Sequence, residues 1–230
     1  MSLTERIGSR MPERLLRIVR PVYYGTIGRV YAIADRYGLI GPDEIYSENY
    51  YAKRKEDPWR SDSHEIADAL SSEFEPNSVI DFGCAIGAYL EYFYQQDVEV
   101  RGVEGSSAAL EHVVIPRNEI ELHDLREPYH TSDKYDLAMC FEVAEHLPEK
   151  FADVFVDSLA QSADVIVLTA AKPGQAGTHH VNLQPREYWI TKFEQRGFDL
   201  DITAVESLRR KISVEEMEWI QDNLFVFTKI

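Results

Sequence analysis

The sequence holds little that would tie it to a membrane interior or an oxidising compartment. Its two cysteines, Cys84 and Cys140, each close a predicted strand, and so few thiols fit a reduced, cytoplasmic protein better than a disulfide framework. No apolar run approaches the roughly 20 residues of a membrane-spanning helix. Arg14, Arg17 and Arg20 break up the segment where a signal peptide's apolar stretch would lie. Internal repeats and low-complexity tracts are lacking too, and 230 residues suffice for one full core. Basic residues are scarce. Of 24 bases and 40 acids, seven arginines and three acids (Glu5, Glu13, Asp35) fall within residues 1–40, leaving 17 bases against 37 acids beyond. A body so negative repels nucleic-acid phosphates, so neither DNA nor RNA is the expected partner. Acid excess with more arginine than lysine also suits a halophilic cytoplasm, where screening tolerates self-repulsion and refolding should depend on salt.

Residues 1–40 differ in composition from the rest. "PERLLRIVR" places a proline in a helix's first turn and spaces arginines among leucine, isoleucine and valine. Two readings stand: helices that pack on the core or on a second subunit in a homodimer, and a basic amphipathic element on the anionic inner membrane surface. Residues 42–63 are polar and turn-rich, with an aromatic cluster of Tyr50, Tyr51 and Trp59. The expected division is a basic helical extension with an aromatic lid over 1–60, and one domain over 61–230.

From Asp62, with Glu65 three residues on as in a capping box, a helix is predicted to about Phe74. Predicted strands follow at 78–82, 98–103, 119–122, 136–141 and 164–169, with helices at 87–95, 106–112, 149–160 and 185–196 between them. Such alternation indicates an α/β fold, a doubly wound and mainly parallel sheet with helices on both faces. In the tail, "GFDLDITAV" reads as a strand, "SVEEMEWIQ" as a helix and "NLFVFTKI" as a last strand. Ligands of doubly wound sheets sit beyond the carboxyl ends of the strands.

Those strand ends carry the chemistry. "VIDFGCAIG" gives a tight turn through Phe82, Gly83, Cys84, Ala85 and Gly87, with Asp81 just before it. Its glycine spacing is not the G-x-G-x-x-G of a dinucleotide fold, which argues against a dehydrogenase, and the acid would repel pyrophosphate but suit a cationic ligand. "RGVEGSS" sets Glu104 and Gly105 at the second strand end, where an acid can accept from both ribose hydroxyls. "HDLRE" offers Asp124 to an adenine amino group and Leu125 to its ring. "CFEVAEHL" places Phe141, Glu142, Glu145 and His146 at the rim of the cleft.

Taken together, "VIDFGCAIG", "VRGVEGS", "LHDLRE" and "YDLAMCFEVAEHL" resemble the class I S-adenosylmethionine-dependent methyltransferases over about residues 60–230. The resemblance implies a seven-stranded sheet whose last strand is antiparallel, and S-adenosyl-L-methionine as cofactor. It implies that Asp81, Gly83 and Gly87 hold the methionine portion, Glu104 the ribose and Asp124 the adenine, with Tyr50, Tyr51 and Trp59 as a lid. Ala85 departs from the family, where many members have glycine.

After the fifth strand, "GTHHVNLQPREYWITKF" resembles a pattern in small-molecule and sugar-modifying members, with His180 matching their histidine and His179 and Asn182 beside it. His180, His179 and His146 are the candidate catalytic residues, His180 as base for a hydroxyl acceptor. A metal held by the three histidines is not expected, for want of a ligand spacing. The expected activity is methylation of a sugar hydroxyl or uronic-acid carboxylate, on a lipid-linked glycan at the membrane. The alternatives are methylation of a soluble metabolite and cofactor binding without catalysis.

Overall fold

A computed structural model describes residues 30, 34, 35, 40–46 and 48–230. The chain divides into two compact units, 1–40 and 41–230. The expected helices, membrane contact and dimer contact of 1–40 lie outside the described residues. Residues 41–60, expected to go with that extension, belong to the larger unit.

The larger unit opens with two short helices, α1 (Pro42–Ile45) and α2 (Glu48–Ala52), then α3 (Trp59–Phe74). Strands and helices then alternate: β1 (Ser78–Phe82), α4 (Ala88–Gln95), β2 (Glu99–Glu104), β3 (Ile120–Leu122), β4 (Leu137–Cys140), α5 (Ala152–Ser162), β5 (Val165–Thr169) and α6 (Arg186–Glu194). The end is β6 (Phe198–Leu200), α7 (Ile202–Lys211), α8 (Trp219–Asn223) and β7 (Leu224–Lys229). The seven strands form one sheet in the order β3-β2-β1-β4-β5-β7-β6. β1 pairs in parallel with β2 and β4, and β7 runs antiparallel between β5 and β6.

Side chains alternate across the sheet, so each buried strand feeds two cores. Val79, Leu137, Met139 and Val167 face one cluster with Ile66 and Leu70 of α3 and Leu90 of α4. Ile80, Phe82, Ala138, Cys140 and Ile166 face the other, with Phe155 of α5 and Trp189 of α6. Both faces being covered explains why the strands read as unbroken apolar runs. The reversal of order at β1 and β4 opens a crevice beyond their carboxyl ends, and the lid, turn and histidine segments all converge there.

Three expectations need correction. The predicted helix at 106–112 is a 3-10 turn over Ser107–Glu111, because Asp43 of α1 takes the Ser107 N–H at 2.7 Å and the Ser106 and Ser107 hydroxyls at 2.8 and 2.9 Å. Asp62 does not cap a helix, since α3 already begins at Trp59. Its buried carboxylate instead accepts the backbone N–H groups of Glu215, Glu216 and Met217 at 2.8, 2.9 and 3.0 Å. That clamp leaves 213–218 outside any helix, and α8 starts only at Trp219. In "GFDLDITAV" the strand ends at Leu200, because the Asp201 side chain caps α7 by accepting the Ala204 N–H at 2.9 Å.

Candidate active site

The turn after β1 is built for close approach. Gly83 and Gly87 have φ of 80° and 79°, a region open to glycine. A Cβ on Gly83 would lie 2.4 Å from Val143 Cγ2, so the residue must be small as well as left-handed. Ala85 adopts φ 51° despite its Cβ, as do Glu142 at 54° and His179 at 57°. Among the described residues, three of the five non-glycine residues with positive φ thus border this crevice, each held at a cost of order 1 kcal/mol by its surroundings.

Two carboxylates line the turn. Asp81 is 1% exposed and its Oδ2 has no hydrogen-bond partner among the described residues. Burial first, and the charge of Glu104 second, hold its carboxyl well above the ordinary range. Glu104, also buried, accepts the Ala85 N–H at 2.9 Å, the Ser106 N–H at 2.7 Å and the Tyr51 hydroxyl at 3.4 Å. Burial raises its carboxyl too, against those hydrogen bonds. Among the described residues neither buried acid has an ion-pair partner, so the crevice is electronegative, and a bound positive charge would relieve both. Gly105 lies under Pro42, where a Cβ would meet the ring at 3.0 Å.

Of the expected lid, Tyr50 and Tyr51 pack over this turn together with Tyr46, whereas Trp59 packs on Trp219 of α8 with ring centroids 6.0 Å apart. Tyr51 packs with Ile86, Ala88 and Ala109, and the partly buried Tyr46 and Tyr50 pack against the same cluster. The Arg54 guanidinium stacks 3.7 Å from the Tyr50 ring centroid. Tyr46 sits 6.4 Å from Tyr51 on one side and meets His146 edge-on at 5.9 Å on the other. The lid therefore bridges Glu104 and the histidine cluster.

That cluster is formed by the β4 end and the long loop after β5. The Val181 and Asn182 N–H groups both donate to the Glu145 carbonyl, at 2.9 and 3.0 Å, fastening the loop to the turn at 144–146. Glu145, His146 and His180 come together, with one ligating atom of each within 4.8 Å of the others. His180 Nε2 lies 4.0 Å from Glu145 Oε1. Each histidine places Nδ1 against a backbone carbonyl, His146 on His179 at 3.2 Å and His180 on Gln175 at 3.1 Å. Glu145 is fully buried and neither carboxylate oxygen has a hydrogen-bond partner among the described residues. Burial, then the charge of Glu142, push its carboxyl up to about 8, and burial pushes His146 down to about 4. His179 enters through its carbonyl. Glu145, a rim residue in the sequence reading but not one of its candidate catalytic residues, is the central residue of this cluster. Its place in the "FEVAEHL" rim was visible, but its burial without a partner was not.

The adenine candidates are placed differently from the crevice acids. Asp124 accepts from Arg126 Nε with both carboxylate oxygens at 2.9 Å, and these bonds lower its carboxyl although burial opposes them. Leu125 is buried in the core with Phe82 and Val103. Phe141 stacks on Tyr89 with centroids 4.8 Å apart, and Glu142 accepts from the Asn223 side chain at 3.0 Å. Cys84 and Cys140 are both free and buried.

This sheet order, with a glycine turn after β1 and an acid at the end of β2, defines the class I methyltransferase architecture. A family described as a methyltransferase domain matches residues 51–173, and the chain belongs to it: it is an S-adenosylmethionine-dependent methyltransferase. No curated protein matches the sequence. Among solved structures, Streptomyces venezuelae DesVI is similar at 17% identity, covering 83% of this chain and 99% of its own with a TM-score of 0.58. CalS10 of Micromonospora echinaspora, an amino pentose methyltransferase solved with S-adenosylmethionine bound, has 16% identity, 77% and 94% coverage and a TM-score of 0.58. The sugar N-methyltransferase KedS8 of a Streptoalloteichus species has 14% identity, 83% and 94% coverage and a TM-score of 0.59.

Proposed function

We propose that this enzyme methylates a sugar, at a hydroxyl or a uronic-acid carboxylate, on a glycan carried by a lipid at the membrane surface. The observation that carries the sugar-hydroxyl reading is the buried Glu145 carboxyl 4.0 Å from the His180 ring, an acid and an imidazole side by side after β4. A carboxylate acceptor would arrive already ionised and need neither. The names of two structural neighbours, both sugar methyltransferases, support the substrate class.

Asp81, Gly83 and Gly87 would hold the methionine portion of the cofactor, Glu104 the ribose and Asp124 the adenine. The orphaned Asp81 Oδ2 and the two left-handed glycines fit such a guest. When bound, S-adenosylmethionine supplies a methyl group already activated on a sulfonium. The chain's own part is to align the acceptor oxygen with that methyl, exclude water through Tyr46, Tyr50 and Tyr51, and ease loss of the acceptor's proton at the Glu145–His146–His180 end.

The lipid carrier is supported by charge: seven arginines within residues 1–40 would bring an otherwise acidic enzyme to an anionic surface. Among the described residues no helix is long and apolar enough to cross a membrane. A labelled-methyl assay on cell-extract fractions tests the whole reading. Label is expected in a lipid-soluble product that releases methylated sugar on mild acid; label confined to aqueous metabolites or to protein refutes it. Anionic liposomes should sediment the full chain, and equal sedimentation of a Δ1–40 protein would remove the membrane part.

A further inference from the structure

We propose that Glu145, His146 and His180 bind one divalent transition-metal ion, leaving a coordination position open toward the acceptor. Three independent observations converge on it. First, ligating atoms of the three residues lie within 4.8 Å of one another. A single ion with tetrahedral bonds of about 2.1 Å holds its ligands about 3.4 Å apart, so a closure of up to about 1.4 Å across the widest pair, within reach of side-chain rotation, completes the site. Second, both histidines present Nδ1 to a backbone carbonyl, His179 for His146 and Gln175 for His180. With Nδ1–H donating, the ring is held in the tautomer whose Nε2 carries the lone pair, the outer-shell arrangement of metal-bound imidazoles. Third, the Glu145 carboxylate is fully buried with both oxygens unpartnered among the described residues. A buried carboxylate without a donor is costly, and a cation is the partner that offsets it.

The donor set selects the ion. Two imidazole nitrogens and one carboxylate suit zinc, cobalt, iron or manganese, whereas magnesium and calcium prefer oxygen donors throughout. Three protein ligands also leave room for a further oxygen, as in catalytic sites. The expectation from sequence that no metal binds here considered His146, His179 and His180. The structure replaces His179 with Glu145, and that replacement makes a ligand set. Assigning the open position to a sugar hydroxyl rests on the function proposed above; ion binding does not.

The full-length protein, stripped with a chelator and dialysed, would be titrated with Zn2+, Mn2+ and Co2+ by calorimetry, with the visible absorption of Co2+ as a second signal. One equivalent is expected to bind, and His180→Ala and Glu145→Gln are each expected to weaken it at least about tenfold. S-adenosylmethionine binding by the same samples establishes that each variant is folded. No uptake by a wild type that binds the cofactor would overturn the proposal, as would equal uptake by folded variants. Uptake that depends on both residues, in a protein that methylates no sugar, upholds the ion site and removes the acceptor reading. Sugar methylation by a wild type that takes up no ion does the reverse.

Discussion

The His180 ring occupies the space that a side chain on Gly177 would need: a Cβ built there would lie 2.0 Å from His180 Nε2. Gly177→Ala should therefore push the ring away from Glu145 without touching the glycine turn after β1. Turnover is expected to fall at least about tenfold, as for His180→Ala, since a displacement of about an ångström at a reacting group has such consequences. Calorimetry should find cofactor affinity nearly unchanged. Wild-type turnover in Gly177→Ala would show that the ring's position does not matter.

Asp81→Asn should separate stability from affinity. The raised carboxyl of Asp81 means that its favourable contribution to folding is present only below the ordinary carboxylate range near 4, and is lost as pH rises through the folded value. At neutral pH the ligand-free protein carries the cost of burying that charge or of taking up a proton. The variant is expected to melt higher than wild type at pH 7.5, with the gain shrinking toward pH 4.5. Cofactor binding should weaken by about 1–3 kcal/mol for the lost charge-assisted interaction. Thermal scans with and without cofactor read both effects, and unaltered affinity would contradict the assignment.

At Tyr51, cover and hydrogen bond can be told apart. The hydroxyl reaches Glu104 at 3.4 Å, a long contact, while the ring is 2% exposed against Ile86 and Ala109. Tyr51→Phe should alter the cofactor dissociation constant by no more than about threefold, a fraction of 1 kcal/mol, whereas Tyr51→Ala removes a buried ring and should weaken binding at least about tenfold. Equal losses in the two variants would assign the effect to the hydroxyl.

Asp62 ties α3 to the segment before α8, although some 150 residues separate them in the chain. Asp62→Ala leaves three backbone N–H groups without their acceptor and should cost about 2–4 kcal/mol in urea unfolding. A loss below about 1 kcal/mol would mean that solvent replaces the carboxylate freely.

The parallel sheet was legible because its strands are apolar throughout and bounded by turn residues; β1 was read to the residue, 78–82. Local signals failed where a distant partner overrides them. Asp62 and Glu65 have capping-box spacing, yet the true partners of Asp62 are at 215–217. Asp201 looked like part of a strand because only its contact with the Ala204 N–H distinguishes a cap from an extended residue. At the site, Asp81 and Glu104 follow from strand-end position alone. Glu145 does not, because burial without a partner has no signature in spacing, and Gly177 gave no hint that its missing side chain makes room for a ring.

Cys84 Sγ lies where a Cβ on Gly102 would sit, 2.6 Å from it, and Cys140 is sealed beneath the sheet. Burial, and the neighbouring acid charges after it, keep both thiols protonated far beyond the usual range. A sulfhydryl reagent can therefore reach them only when the molecule breathes. One thiol sits in the glycine turn after β1 and the other in the middle of the sheet, so their labelling rates act as two native stopwatches, one timing the opening of the crevice and the other that of the core.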